Sequence, residues 1–190
     1  MYQDYPEYAE INGKEYKLNT DYRYALKCFE IVDNEDISTL ERMLAIVYLI
    51  YGFIPDNDVD LFFEKAVTFL QCGETSDKQN EKDKDMDFVQ DKKYINASFR
   101  SDYQIDLTKE YLHFWYFVEL LQGLTDKCSL SKIRELRNYD TNDIKDAKEK
   151  KKIEDAKKEV ALKHKKKKLT KAQKNNAKNF LIQIGIGVNS

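Results

Sequence analysis

Two histidines, three cysteines and one oddly placed aspartate are the side chains through which this chain could do chemistry. His113 stands in the run Leu112-His113-Phe114-Trp115, where an interior hydrogen bond is the expected use of the imidazole rather than proton transfer. His164 sits among Lys163 and Lys165 to Lys168, where solvation is expected. Cys28, Cys72 and Cys128 are far apart, odd in number and outside any metal-ligand spacing, and each lies in or beside an apolar segment. They are expected as buried free thiols. There is no glycine-rich phosphate loop, no His-Glu-x-x-His and no nucleophile elbow. Carboxylates abound, but spacing singles out no pair. The expectation is a protein that is not an enzyme and that uses no metal or cofactor.

Asp91 is the exception among the carboxylates. It follows Phe88 by three and precedes Ile95 by four, which puts it on the apolar stripe of a helix. A buried carboxylate must find partners or give up its charge. One role is a general acid or base; the other is a structural acceptor for a tyrosine hydroxyl, an indole N–H or His113. The second is preferred, because interior polar groups are normally paired. Asp91 and His113 are therefore expected as structural buried polar residues.

Charge is distributed unevenly. From Lys145 onward fifteen lysines face five carboxylates, a net of +10 in a chain whose total is −2, so the first 144 residues carry −12. The run Lys163 to Lys174 has three readings: phosphate contact with nucleic acid, docking on an acidic surface that includes another copy's body, or a solvated helix end. No aromatic residue is interleaved there to stack on bases, so the run is weak evidence for nucleic acid, and a solvated helix end is the preferred reading. Self-association or an acidic partner suits an acidic body with a basic tail.

The elements that must position these groups are mostly helical. Six glycines and two prolines in 190 residues leave little room for a turn-rich β fold. Tyr8 to Ile11 and Lys14 to Leu18 flank Asn12-Gly13, the signature of a tight hairpin. Asp21 to Val32 predicts a first helix with Tyr22, Ala25, Leu26 and Phe29 on one face. Ser38 and Glu41 form a capping-box pair for a second. Its inward stripe is read as Ile37, Leu40, Leu44, Val47 and Tyr51, with Met43, Ile46, Leu49 and Ile50 as a second apolar side. Gly52 and Pro55 end it, and a third helix runs from Asn57 to Gly73. Residues 74–85 hold no apolar side chain and are expected as a flexible surface loop. Ser129 or Ser131 could cap a short helix through Ile133, Leu136 and Arg137. After Asn138 a lysine-rich helix with the thin stripe Ile144, Ala147, Ile153, Ala156 and Val160 is expected to project from the body, and a last helix to stop at Ile184. The N-terminus has no secretory pattern, and the longest uncharged run, Met43 to Pro55, is too short for a bilayer. A soluble protein of the host cytoplasm is expected, with no membrane contact.

The chain is organised around Asp87 to Leu124, expected as two helices. The first carries Phe88, Ile95 and Phe99. The second is capped by Asp106, carries Tyr111 to Leu121 with apolar groups on nearly every side, and stops at a left-handed Gly123. Such a helix should lie inside the fold as a central post. Asp87-Phe88, Gln90-Asp91, Tyr94-Ile95, Ala97-Ser98-Phe99, Tyr103, Ile105-Asp106-Leu107-Thr108, Leu112-His113, Trp115 and Gly123-Leu124 occur in order. In these elements the chain resembles the phage gene-product-fifteen family, encoded in the tail-morphogenesis cassette of long-tailed phages of Gram-positive hosts. The likeness continues upstream through Gly13-Lys14-Glu15-Tyr16 and Asp21-Tyr22-Arg23, and downstream at Ile133-Arg134. The chain departs from the family pattern in carrying Phe114 where a second tryptophan is usual, and in its long basic tail.

The resemblance implies tail assembly, with a chaperone-like role beside the tape-measure protein. The expected fold is mainly α: a compact helical domain with a short N-terminal β-hairpin over residues 1–138, and a lysine-rich helical extension over 139–190. The expected function is non-catalytic tail assembly through binding of the tape-measure protein or another tail-assembly protein. Phe53, Phe62, Phe114, Tyr116 and Phe117 are expected as partner-binding residues. The competing functions are a phage-encoded inhibitor of a host defence or regulatory protein and a structural tail component kept in the virion. Homo-oligomerisation is compatible with all three.

Overall fold

The computed structural model describes residues 5–34, 36–73 and 85–163. Among these, a two-stranded hairpin and seven helices form: β1 (Tyr8–Ile11), β2 (Lys14–Lys17), α1 (Tyr22–Val32), α2 (Thr39–Tyr51), α3 (Val59–Leu70), α4 (Lys92–Tyr103), α5 (Phe114–Gln122), α6 (Ser129–Asn138) and α7 (Ala147–Val160). The mainly helical expectation is met. The chain divides into two compact units; the first takes in the described residues through Gly73 and the second those from Asp85.

In the first unit the strands pair antiparallel with Ile11 opposite Lys14, so that Asn12 and Gly13, both at positive φ, form the two-residue turn. Leu18 N donates to Glu7 O, and Asn19 N to Ile50 O, which ties the hairpin's exit to the end of α2. Asp21 caps α1 through Arg23 N at 2.9 Å. The capping box of α2 forms in both directions: Glu41 N donates to Ser38 Oγ at 3.2 Å and Ser38 N to Glu41 Oε2 at 2.8 Å. α2 packs between α1 and α3. Its buried face is Met43, Ile46, Val47, Ile50 and Tyr51, while Leu40 is exposed. The buried face thus takes Val47 and Tyr51 from the stripe expected inward and Met43, Ile46 and Ile50 from the second apolar side. Both candidate stripes were apolar, and only the positions of α1 and α3 select among their residues.

The second unit is arranged around α4, which packs on both α5 and α6. Phe99, with no exposed surface, stacks on Phe117 at 5.2 Å between ring centres and meets Tyr103 edge-on at 5.7 Å. Tyr103 donates its hydroxyl to Leu120 O at 2.9 Å, and Ser98 Oγ accepts from Leu130 N, an otherwise unpaired first-turn amide of α6. Asp87 caps one turn at Phe88 to Gln90, accepting from Val89 N and Gln90 N, and α4 proper starts after it.

The aromatic helix departs from expectation. Asp106 caps only a single turn, accepting from Thr108 N and Thr108 Oγ1, and the helix begins eight residues later at Phe114. Tyr116 is exposed, so α5 is not sheathed on all sides; α4 and α6, not α5, each pack on two other helices of this unit. Gly123 has φ −84°, an ordinary right-handed value. A Cβ there would lie 3.0 Å from the Tyr103 hydroxyl, close enough that the hydroxyl would have to give way by a few tenths of an ångström.

α7 does not project. It packs on α6 with Ile153, Ala156 and Val160 half-buried. Arg137 Nε donates to Val160 O at 2.7 Å, Lys157 Nζ donates to Tyr139 O, and Lys163 N donates to Gln90 Oε1 at 2.8 Å. The compact unit therefore runs past Asn138 and includes α7, in place of a break at 138/139. The thin stripe suffices because polar anchors at the end of α7 hold it down. The expected loop over 74–85 lies, except for Asp85, outside the described residues, as do the segment from His164 and the expected last helix.

Candidate partner-binding surface

The hairpin tip and the α2–α3 connection enclose a shallow groove of about 350 Å³ in the first unit. Gly52 ends α2 at φ +79°, a left-handed turn that sends Phe53, Ile54 and Pro55 back across the hairpin. Tyr16 on β2 meets Phe62 edge-on at 4.7 Å, Tyr51 meets Phe62 at 5.0 Å, and Phe53 lies 5.8 Å from Phe62. The ring contacts hold one another in place, so the floor is built before any partner arrives. Phe53 and Ile54 nevertheless remain 41% and 51% exposed. The hydroxyl of Tyr51, beside this floor, is buried and has no hydrogen-bond partner among the described residues, and burial pushes its ionisation upward.

Asp56, Asn57 and Asp58 form the polar side of the groove. Asp58 opens α3 in a left-handed conformation, φ +60°, and does not cap it. Its carboxylate instead accepts from Asn12 Nδ2 at 3.0 Å, which pins the hairpin tip to the start of α3. A non-glycine residue at positive φ stores strain that the surroundings must hold, here at the mouth of the groove.

The expected partner-binding residues fall into two groups. Phe53 and Tyr116 are exposed. Phe62 is buried as groove floor, and Phe114 and Phe117 are buried in the second unit, so none of these three offers a free ring to a partner. An aromatic helix looks the same in sequence whether its rings fill a core or face outward. Tyr16, Ile54, Asp56 and Asp58 were not singled out; the bracket of Asn12-Gly13 and Gly52 to Pro55 was their only signal.

Asp91 is 1% exposed, as its place on the stripe predicts, but its partner is neither tyrosine, tryptophan nor histidine. Arg137 of α6 grips it with two bonds of 2.7 Å, NH1 to Oδ2 and NH2 to Oδ1. Asp87 N adds a third bond at 3.0 Å. Arg137 also donates to Asp85 O and Val160 O, and the bond to Asp91 drives the guanidinium's ionisation further upward. The pair ties the start of α4, the end of α6 and the end of α7 together, which suits a structural acceptor. His113 is half-buried at the N-cap of α5, where its Nδ1 accepts from Trp115 N at 3.1 Å. It is a helix cap and not an interior polar residue. Cys28 and Cys128 are buried and Cys72 is half-buried; burial pushes the Cys28 thiol up to about 12.

Residues 2–162 match the family model described as Bacteriophage Gp15 protein. The chain belongs to that family. The hairpin and all seven helices described in this Gp15-family chain, α7 included, fall within the match, and the lysine run from Lys163 lies beyond it. No curated protein and no solved structure matches the chain. Its place among phage proteins therefore rests on the family. Among the described residues, no helix is long and apolar enough to cross a membrane.

Proposed function

We propose that this protein is a non-catalytic tail-assembly factor that covers an apolar stripe of the tape-measure protein in the host cytoplasm until the tail tube encloses it. Membership of a phage family supports the setting, and the aromatic groove of the first unit is the single observation that carries the reading. A long helical tape exposes apolar stripes that aggregate unless covered. Exposed Phe53 and Ile54, braced from below by the ring contacts of Tyr16 and Phe62, suit an amphipathic helix laid across them. Because the rings are already packed, little side-chain freedom is lost on binding.

Calorimetry of the full chain against tape-measure fragments tests this. Apolar docking gives a negative heat-capacity change and persists at moderate salt. Phe53→Ala should weaken it by about tenfold, the effect of truncating a central aromatic anchor. Absence of binding to every fragment, or binding that Phe53→Ala leaves unchanged, would overturn the proposal. A transient cover is also expected to be absent from finished virions, whereas a structural component would be present at fixed copy number.

A further inference from the structure

The groove of the first unit has two chemically different sides. Phe53 and Ile54 expose apolar surface on one, and Asp56 and Asp58 hold exposed carboxylates on the other. No lysine or arginine is among its described lining residues, and neither carboxylate has an ion-pair partner among the described residues. Asp58 accepts one bond, from Asn12 Nδ2, which fixes the carboxylate in place and leaves its charge unbalanced. Asp56 follows Phe53 by three residues, so their Cα atoms lie at most about 11 Å apart, roughly the length of two turns of α-helix. The described residues of this unit hold twelve carboxylates against six lysines and arginines, a net of −6.

We propose that the groove selects a basic amphipathic helix: an apolar stripe seated on Phe53 and Ile54, with a lysine or arginine within two turns of it reaching Asp56 or Asp58. This partner chemistry rests on the groove being the docking site of the proposed function, and it adds which stripes are accepted. A lysine or arginine stem lies along apolar surface while its head reaches a carboxylate, so one side chain can meet both sides of the groove. Exposed ion pairs contribute little affinity. The apolar contact therefore holds the helix, while the carboxylates set its register and speed its arrival. A stripe flanked by Glu or Asp brings like charges together and is rejected, as is the acidic first unit of a second copy. A long helical partner exposes many apolar stripes, and the flanking charge decides which of them is covered.

The test is fluorescence anisotropy of the full chain with labelled helical peptides that share one leucine stripe. Three differ only in a residue placed one turn from the stripe's end, which is lysine, glutamine or glutamate. A fourth carries the lysine on the opposite face at the same net charge. The flanking lysine should bind about fivefold tighter than glutamine, and glutamate about fivefold weaker, the range for one exposed ion pair. The displaced lysine should bind like glutamine, and the differences should shrink as salt rises. Asp56→Asn with Asp58→Asn removes both charges, while the new amide oxygen at position 58 still accepts from Asn12. That double variant should bind all the peptides with one affinity. Equal affinities on the native protein would overturn the basic chemistry and leave the apolar groove standing. A lysine preference that survives in the double variant, or that the displaced lysine shares, would place the charge recognition elsewhere and overturn it too. Binding of none of the peptides would overturn the groove as a docking site, and the basic partner with it.

Discussion

Arg137 and Asp91 satisfy each other within the second unit, and the arrangement leaves little tolerance. Arg137 exposes only 10% of its side chain, so removing either partner leaves a charge with little solvent. Arg137→Ala should cost about 3–5 kcal/mol in a urea titration, the range for breaking a buried pair from one side. The double variant Asp91→Leu with Arg137→Met should lose less than the sum of the single losses, since no charge is stranded. Additive losses would place the pair in better-solvated surroundings. Tyr51 is the opposite case. Its hydroxyl is buried without a hydrogen bond among the described residues, so Tyr51→Phe should leave stability unchanged or raise it by about 1 kcal/mol. A loss of similar size would mean that the hydroxyl has a partner.

Between elements, close approach decides more than propensity. The Tyr103 hydroxyl must sit 2.9 Å from Leu120 O and also clear the position of a Cβ on residue 123. Gly123→Ala therefore forces Tyr103 off its acceptor and should cost about 1 kcal/mol, the worth of one hydrogen bond. In the Tyr103→Phe background the same substitution should be nearly silent, and a double-mutant cycle measures the difference. Asp102 performs a related task where α4 meets the α5–α6 connection. The Thr125 amide first, then the Ser101 hydroxyl, hold its carboxyl below the usual range. A carboxyl depressed in the folded state contributes stability that is complete above its unfolded pKa of about 4 and is lost as pH falls through the folded value. Asp102→Asn should therefore flatten the acid side of the stability profile and leave its slope above about pH 5 unaltered. An unchanged acid limb would show that these hydrogen bonds do not favour the charged form.

For the whole molecule, the consequential arrangement is the inclusion of α7 in the second unit. The helix carries six lysines, each a trypsin site, yet its end is held by Arg137 and it packs on α6. Trypsin should cut within 147–160 slowly in the native protein, and Arg137→Ala should speed those cuts by about tenfold by releasing Val160. Equal rates in the two proteins would mean that packing on α6 holds α7 without the guanidinium. Division into two units also separates the two roles that aromatic residues play here. Phe114 and Phe117 fill the second unit, while Phe53 and Tyr16 shape a groove in the first.

What the sequence by itself determined were the features written in short-range chemistry. The Asn12-Gly13 turn, the Ser38–Glu41 box, the helical class and the burial of Asp91 all depend on residues a few positions apart. The family was legible for a similar reason, since its motifs run in order along one stretch of chain. Tertiary structure alone set the buried face of α2, drawn from both apolar stripes, because both were hydrophobic and only neighbouring helices distinguish their residues. It alone paired Asp91 with Arg137, forty-six positions away, where the sequence had offered a tyrosine, the tryptophan or His113 as partner. It placed Phe62, Phe114 and Phe117 inside and left Phe53 at the surface, because exposure depends on what packs against a ring, and no local spacing records that.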